Sequence, residues 1–265
     1  MTLSEELSFA RLCHEELLRV KVREGIGLYE EKRLHSVLKR WLCDDFAAHE
    51  QKVTGRGEKK RRFVADILTP DGQIYEIQTG KLYPLAKKID FYMEETDHRV
   101  TVVHPLIARK YVSWMKPETG EVTARNRSPK SEKLLQGLAQ LKPFLPYLGD
   151  PRFSVLFPAI EADEYRLLDG WANGGKRGSH RYELIPLSLM EATRLVAKED
   201  YVALFPAGAP ETFTAREFGK LAHLAGYDLY DALAVFEGLG VLEKVGLRGR
   251  AALYRPTVSA SDHSK

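Results

Sequence analysis

Residues 63–81 read FVADILTPDGQIYEIQTGK. Residues 63–68 and 74–79 are short runs rich in β-forming side chains, and Pro70-Asp71-Gly72 between them is strong turn chemistry. We therefore expect two antiparallel strands joined by a tight turn.

The predicted hairpin carries two carboxylates and an amide. Side chains alternate along a strand, so Glu76 and Gln78 point to one face, and Asp66 can occupy the same face. Oxygen ligands on paired strands, with room for water and a substrate phosphate, are the outline of a site for a hard cation. The alternative is that these acids are solvated, as acids in hairpins usually are.

Asp66 followed by Glu76-Ile77-Gln78 resembles the signature of the PD-(D/E)XK nuclease superfamily. The resemblance spans about residues 27–105. In that family an aspartate and a Glu-X-Lys segment hold Mg2+ for phosphodiester cleavage. The resemblance therefore implies that Asp66, Glu76 and the carbonyl of Ile77 bind Mg2+ or Mn2+, and that Gln78 orients the attacking water.

Gln78 stands where most of the superfamily has lysine, and Val64-Ala65 stands where it has a proline. An amide donates hydrogen bonds but carries no charge and is not a useful base at neutral pH. The missing positive charge is then expected from Lys81, from a nearby basic loop or from a second metal ion, or else the site is slow.

The order of elements around the hairpin agrees with the resemblance. Periodicity, turn residues and β-branched runs predict helices and strands over residues 3–22 (helix), 28–44 (helix), 49–54 (strand), 84–95 (helix) and 99–104 (strand). A helix, three meandering antiparallel strands, a helix and a strand form the core layout of the superfamily. The fold class is therefore predicted as α/β with such a nuclease core.

The second predicted helix offers further site residues. Glu30 and Glu31 lie on opposite shoulders of its apolar stripe, and periodicity does not choose between them. In the nuclease superfamily this helix often supplies an extra glutamate, and residues 31–35 resemble such a segment, which favours Glu31 as a metal ligand and catalytic residue. His35, one turn further, is then expected to contact the same site or a phosphate. A capped helix with exposed charges is the alternative.

Five of the eight residues from Gly55 to Arg62 are basic. A charge run is often only a solvated loop, but this one joins the strands that carry the acids, where a nuclease needs cations on flanking phosphates. The predicted contacts with nucleic acid are Lys59, Lys60, Arg61, Arg62, Lys81 and His35.

Three regions are predicted: an N-terminal helix (1–24), a nuclease-like domain with an extension (25–206), and a winged-helix-like domain (211–257). Within the extension, residues 188–198 are predicted to be helical. The C-terminal region opens with the capping box Thr214-Ala-Arg-Glu217 and continues as helix, turn, helix and hairpin.

The presumed recognition helix of this region holds Asp231 and Glu237 and no Lys or Arg, so DNA contact would fall to Lys244, Arg248 and Arg250 of the wing. A structural or homodimerising winged helix is the alternative.

Composition sets the remaining limits. The 265 residues carry a net charge of +3, so nucleic-acid affinity must come from clustered cations. Cys13 and Cys43 lack zinc or disulfide spacing, which fits a reducing cytoplasm. No apolar run approaches the roughly 18 residues of a membrane span. The sequence predicts a metal-dependent nuclease, with DNA favoured over RNA. The alternatives are a catalytically lapsed nuclease fold that binds nucleic acid or protein, and a transcriptional regulator built on the winged helix.

Overall fold

The computed structural model describes residues 2–19, 30–57, 60–169 and 178–257, and the side chains of residues 19 and 30–32 lie outside the description. Within these ranges the chain is an α/β protein built on a central mixed sheet. Its helices are α1 (Leu3–Arg19), α2 (Glu30–Leu42), α3 (Ala86–Glu95), α4 (Leu134–Ala139), α5 (Lys198–Val202), α6 (Ala215–Ala222) and α7 (Gly226–Gly238). Its strands are β1 (His49–Thr54), β2 (Arg62–Leu68), β3 (Gln73–Ile77), β4 (Arg99–Val103), β5 (Leu106–Met115), β6 (Asn126–Arg127), β7 (Phe153–Leu167), β8 (His180–Leu195), β9 (Phe213–Thr214), β10 (Leu242–Arg248) and β11 (Ala251–Pro256).

The main sheet has the strand order β1-β2-β3-β4-β7-β5-β6, with β8 on the other edge of β7. β1, β2 and β3 are antiparallel neighbours, and β4 then pairs parallel to β3 after α3. The predicted hairpin closes at Gly72, whose φ of 80° lies in the left-handed region that suits glycine. Strands β3, β4, β7 and β5 run in the same direction, so their carboxyl ends point to one edge of the sheet.

The extension after β4 is more strand-rich than the sequence indicates. β7 pairs first with β4 and further along with β5, so that β4 and β5 lie end to end along one side of β7. The helix predicted over residues 188–198 is wrong, because Ser188 to Leu195 pairs with β7 as the second half of β8. Residues with good helix propensity are held in a strand there by the ladder of hydrogen bonds to β7.

Helices cover both faces of the sheet. One buried cluster joins Phe9 of α1 and Val37 of α2 to Ile67, Ile77 and Val103 on one face. The second cluster joins the alternate residues of β3 and β4 to α3, α4 and the C-terminal helices. Alternation along β3 thus sends Ile77 toward α2 and Glu76 toward α3.

The C-terminal region packs on the face of the sheet that α3 and α4 cover. The predicted capping box is confirmed: Thr214 Oγ1 accepts from the N–H of Glu217, and the Glu217 carboxylate accepts from the N–H of Thr214 at 2.7 Å. Asp231 of α7 pairs with Lys142 at 2.6 Å, and α7 packs against α4. One side of the presumed recognition helix is therefore covered by the rest of the protein. Across the described ranges, none of the helices combines the length and the apolar character that a membrane span requires.

Candidate active site

The acids of the hairpin meet in a cavity at the carboxyl end of β3. The register of β2 and β3 pairs Ile67 with Tyr75, which places Asp66 and Glu76 next to each other across the two strands. The cavity measures about 300 Å3. Its lining includes His35, Asp66, Glu76, Ile77, Gln78 and Lys88. The structure thus brings together five residues that the sequence singles out and one that it does not.

Asp66 is held by its neighbours in the ionised form. Its Oδ2 accepts a hydrogen bond from the N–H of Ile77 at 2.7 Å and lies 3.3 Å from Nε2 of His35. Burial alone would raise the pKa of Asp66, but the contacts with His35 and Ile77 and the charge of Lys88 together hold the pKa below its ordinary value. Asp66 is therefore a carboxylate at neutral pH.

Glu76, on the neighbouring strand, lies in a more deeply buried environment. Its side chain is 1% exposed, and its two oxygens accept from Nζ of Lys88 at 2.6 Å and from the hydroxyl of Tyr92 at 2.9 Å. Burial raises the pKa of Glu76 to about 7, with Lys88 acting in the opposite direction and the negative charge of Asp66 adding to the rise. Two adjacent carboxylates therefore differ strongly in how readily they ionise.

Lys88 is the site residue that sequence reasoning missed. It lies in the first turn of α3, four residues before the buried Tyr92, so both side chains lie on the same face of the helix. The i, i+4 spacing of Lys88 and Tyr92 is visible within the helix predicted over residues 84–95, but the sequence does not show that this face of the helix meets Glu76. Burial and the charge of Glu76 raise the pKa of the Tyr92 hydroxyl, which keeps it a hydrogen-bond donor.

Gln78 is tied to the loop and strand beside it. Its side-chain Nε2 donates to the backbone carbonyl of Lys81 at 3.1 Å, and its backbone carbonyl oxygen accepts from Nδ1 of His104 at 2.7 Å. Burial lowers the pKa of His104, so the ring is neutral at neutral pH. Lys81 itself is exposed and lines a neighbouring cavity, so its ammonium group is not among the groups that face the acids.

The other predicted cations are distributed more widely. Arg61 donates to Glu95 at 2.7 Å, at the end of α3 remote from Lys88, so its charge is matched there. Lys60 and Arg62 are exposed and form no ion pair with any residue that the structure describes. Lys59, like the side chain of Glu31, lies outside the described residues.

In the wing, Arg248 is 2.9 Å from Glu217 and Lys244 is 3.2 Å from Glu237. Arg250 is exposed.

The fit to a divalent cation rests on Asp66 and Glu76. In the described part of the chain, no group of three or more His, Cys, Asp or Glu side chains is arranged to hold a metal ion. Mg2+ needs fewer protein ligands than that, since it is commonly bound by one or two carboxylates together with water and substrate phosphates. Two adjacent carboxylates in a partly buried cavity repel each other, and a divalent cation between them would offset that repulsion with its positive charge.

Comparison with known proteins gives a family and a relative. The model of a family described as a domain of unknown function, DUF8091, matches residues 32–196. That range runs from α2 to the end of β8 and contains Asp66, Glu76, Gln78 and Lys88. An uncharacterized protein from Treponema pallidum (strain Nichols) is 23% identical over 236 residues, which cover 87% of each chain. No solved structure matches the chain.

Proposed function

This chain belongs to the DUF8091 family, and we propose that it is a divalent-metal-dependent nuclease that hydrolyses phosphodiester bonds of nucleic acid, with DNA as the first substrate to test. The observation that carries the proposal is the convergence of Asp66, Glu76 and Lys88 on one cavity. Two carboxylates can hold a cation while an ammonium group stabilises the phosphate, which is the set of charges that phosphodiester hydrolysis requires.

The surrounding topology supports this proposal. α2, the antiparallel strands β1, β2 and β3, then α3 and the parallel strand β4 follow one another in the order that a PD-(D/E)XK core would have. The two helices lie on opposite faces, and each contributes a partner to one acid: His35 of α2 to Asp66, and Lys88 of α3 to Glu76.

Each residue of the cavity then has a role. Asp66, Glu76 and the carbonyl of Ile77 would hold Mg2+ or Mn2+, with Glu31 of α2 a further candidate ligand. The ion supplies a Lewis acid that neutralises phosphate charge and lowers the pKa of bound water.

Lys88 provides the positive charge that Gln78 lacks, and it acts on the phosphate oxygens in the transition state. Gln78 uses its amide to position water, and Tyr92 fixes the rotamer of Glu76 through its hydrogen bond.

Isosteric substitution of the acids tests the proposal. Purified parent, Asp66→Asn and Glu76→Gln are assayed with Mg2+ and Mn2+ on single- and double-stranded DNA and RNA. We expect cleavage by the parent and a loss of at least about a hundredfold in both variants, because each removes a charge that holds the metal.

Asp71→Asn is the matched control for that assay. Asp71 lies in the turn of the same hairpin, but it is exposed and paired with Arg99 at 2.6 Å, so its substitution should leave cleavage intact. Equal cleavage by parent, Asp66→Asn and Glu76→Gln would show that these acids are not the catalytic centre.

One observation favours a second candidate function, a nuclease fold that has lost catalysis and binds nucleic acid or a protein. Both oxygens of Glu76 are already engaged, by Lys88 and Tyr92, in an arrangement that is complete without a metal ion. Calorimetry with Mn2+ separates the two. Absence of Mn2+ binding, with the parent inactive on every substrate, favours the lapsed fold.

A further inference from the structure

A second cavity of about 330 Å3 lies next to the candidate active site, and Thr79 lines both cavities. Its walls come from the loop after β3, the end of β4, the region of α4 and the first turn of α7. The other polar residues that line it are Lys81, His104, Glu132, Gln136, Gln140 and Asp228. The cavity is thus built from distant parts of the chain at the same edge of the sheet as the acids.

Gln78 connects this second cavity to the first. Its side-chain amide donates to the carbonyl of Lys81, and its backbone carbonyl accepts from Nδ1 of His104 at 2.7 Å. Because a carbonyl oxygen only accepts, Nδ1 carries the proton, and Nε2 of the neutral ring remains an acceptor. A group bound against His104 would therefore lie close to Gln78, which lines the first cavity.

The polar side chains of the second cavity have much unused hydrogen-bonding capacity. Oε1 of Gln136 accepts from the N–H of Lys133 at 2.9 Å, which leaves its amide NH2 as a donor. Gln140, Asp228 and Lys81 make no side-chain hydrogen bond or ion pair with any residue in the described ranges, although Gln140 and Asp228 are partly buried. Amides and carboxylates held partly out of water without partners are suited to a polar ligand.

The charges of this cavity indicate which ligand it suits. Glu132 and Asp228 oppose the single cation Lys81, so a phosphate group would meet net negative charge. A neutral, planar group that offers both donors and acceptors fits better, and Leu106 and Gly137 give it a less polar wall. Nucleobases have this chemistry. Carboxylates accept from their exocyclic amino groups, and glutamine can bond an adenine edge through two hydrogen bonds.

We propose that this second cavity binds an unpaired nucleobase next to the phosphodiester to be cleaved, and that it prefers bases with an exocyclic amino group over thymine and uracil. The inference rests on the proposed nuclease function for the identity of the neighbouring group. It deepens that function, because a base held here would set which phosphodiester enters the first cavity. A base in such a pocket must be unstacked, so the substrate is single-stranded or locally opened.

Binding of free nucleosides tests the proposal without cleavage. The full-length protein is titrated in metal-free buffer with adenosine, cytidine, uridine and thymidine at millimolar concentration, and binding is followed by saturation-transfer NMR. We expect adenosine or cytidine to bind more tightly than uridine and thymidine. Gln140→Ala should weaken that binding about tenfold, the scale on which a paired base contact discriminates.

Two further variants make the test specific. Asp228→Asn, on a different element from Gln140, should reduce the preference for amino-bearing bases even if Gln140→Ala unfolds the protein. Asp66→Asn should leave nucleoside binding unchanged, since Asp66 lines the other cavity. If the protein binds nucleosides but has no nuclease activity, the proposed base-binding cavity stands and the proposed nuclease function is refuted. Equal binding of all four nucleosides, no binding, or insensitivity to both Gln140→Ala and Asp228→Asn would overturn the proposal.

Discussion

Lowering the pH from about 8 to about 6 should weaken Mn2+ binding about tenfold, because Glu76 must lose a proton before it can bind the metal. With a pKa of about 7, roughly nine tenths of the Glu76 side chains are ionised at pH 8 and roughly one tenth at pH 6. A glutamate at its ordinary value of 4.5 would be almost fully ionised at both. Asp66 contributes little to this dependence, since its pKa lies below the ordinary range for aspartate.

The assay is a Mn2+ titration at several pH values, followed by calorimetry or by the electron paramagnetic resonance of free Mn2+. Tyr92→Phe removes a hydrogen bond that lowers the pKa of Glu76 while it keeps the ring, so the midpoint of the pH dependence should move to higher pH. His35 also lies beside the metal site, with its Nε2 3.3 Å from Oδ2 of Asp66. His35→Asn should therefore keep the pH dependence if Glu76 is its source.

An affinity that stays constant between about pH 6 and pH 8 would refute this reasoning, because it would mean that Glu76 is not a ligand or that its burial is not what controls its ionisation. A midpoint that moves to lower pH in Tyr92→Phe would contradict the assigned direction of that hydrogen bond.

The remaining predictions concern the cations and the amide. Lys88→Gln should reduce cleavage about a hundred- to a thousandfold, the range for losing one aligned donor in a transition state, while Lys87→Gln, on the exposed side of the same turn, should have no effect; equal losses would exclude a specific role. Gln78→Ala should reduce cleavage roughly tenfold or more, while Gln78→Lys should retain it. Gln78→Lys should also restore part of the activity that is lost in Lys88→Gln. Cleavage by Gln78→Ala at the parent rate would leave the amide without a catalytic role. Joint replacement of Lys60 and Arg62 by alanine should weaken binding to all DNA sequences alike and flatten its salt dependence. An unchanged slope of affinity against salt would show that these two residues do not contact phosphates.

The hairpin and its neighbours could be predicted because their signals are local. The turn at Pro70-Asp71-Gly72 and the β-forming runs beside it specify β2 and β3 within a few residues of chain. The capping box at Thr214 is equally local, since both of its partners lie within one turn. Each of these elements forms from interactions that a short stretch of sequence contains.

The extension could not be predicted in the same way, because its strands are specified by distant partners. Residues 188–195 have no strong local preference for a strand, and they adopt one by pairing with β7 about thirty residues earlier. The end-to-end arrangement of β4 and β5 likewise depends on the length of β7, which no pattern in β4 reveals.

The candidate site was predictable on the strands and not on the helix that follows them. Alternation along the predicted strand of residues 74–79 gives Glu76 and Gln78, but it does not say which face α3 covers, and therefore not which of its side chains reaches Glu76. The pKa of Glu76 is a further property of packing. Its rise to about 7 depends on a burial that the sequence does not state.

Under the proposed nuclease function, Lys88 bears on how glutamine at position 78 should be interpreted. Lysine carries its charge at the end of a flexible stem, so the ammonium group can reach one carboxylate from several backbone positions. In this chain it reaches Glu76 from α3 at 2.6 Å, while Gln78 follows directly after β3 and its amide donates to the carbonyl of Lys81. A single lysine would combine a positive charge with a hydrogen-bond donor. Here Lys88 of α3 supplies the charge, and Gln78 after β3 supplies the donor. Chemistry at a phosphate depends on where the charge lies in space, so glutamine at position 78 is compatible with an active site as long as Lys88 remains beside Glu76.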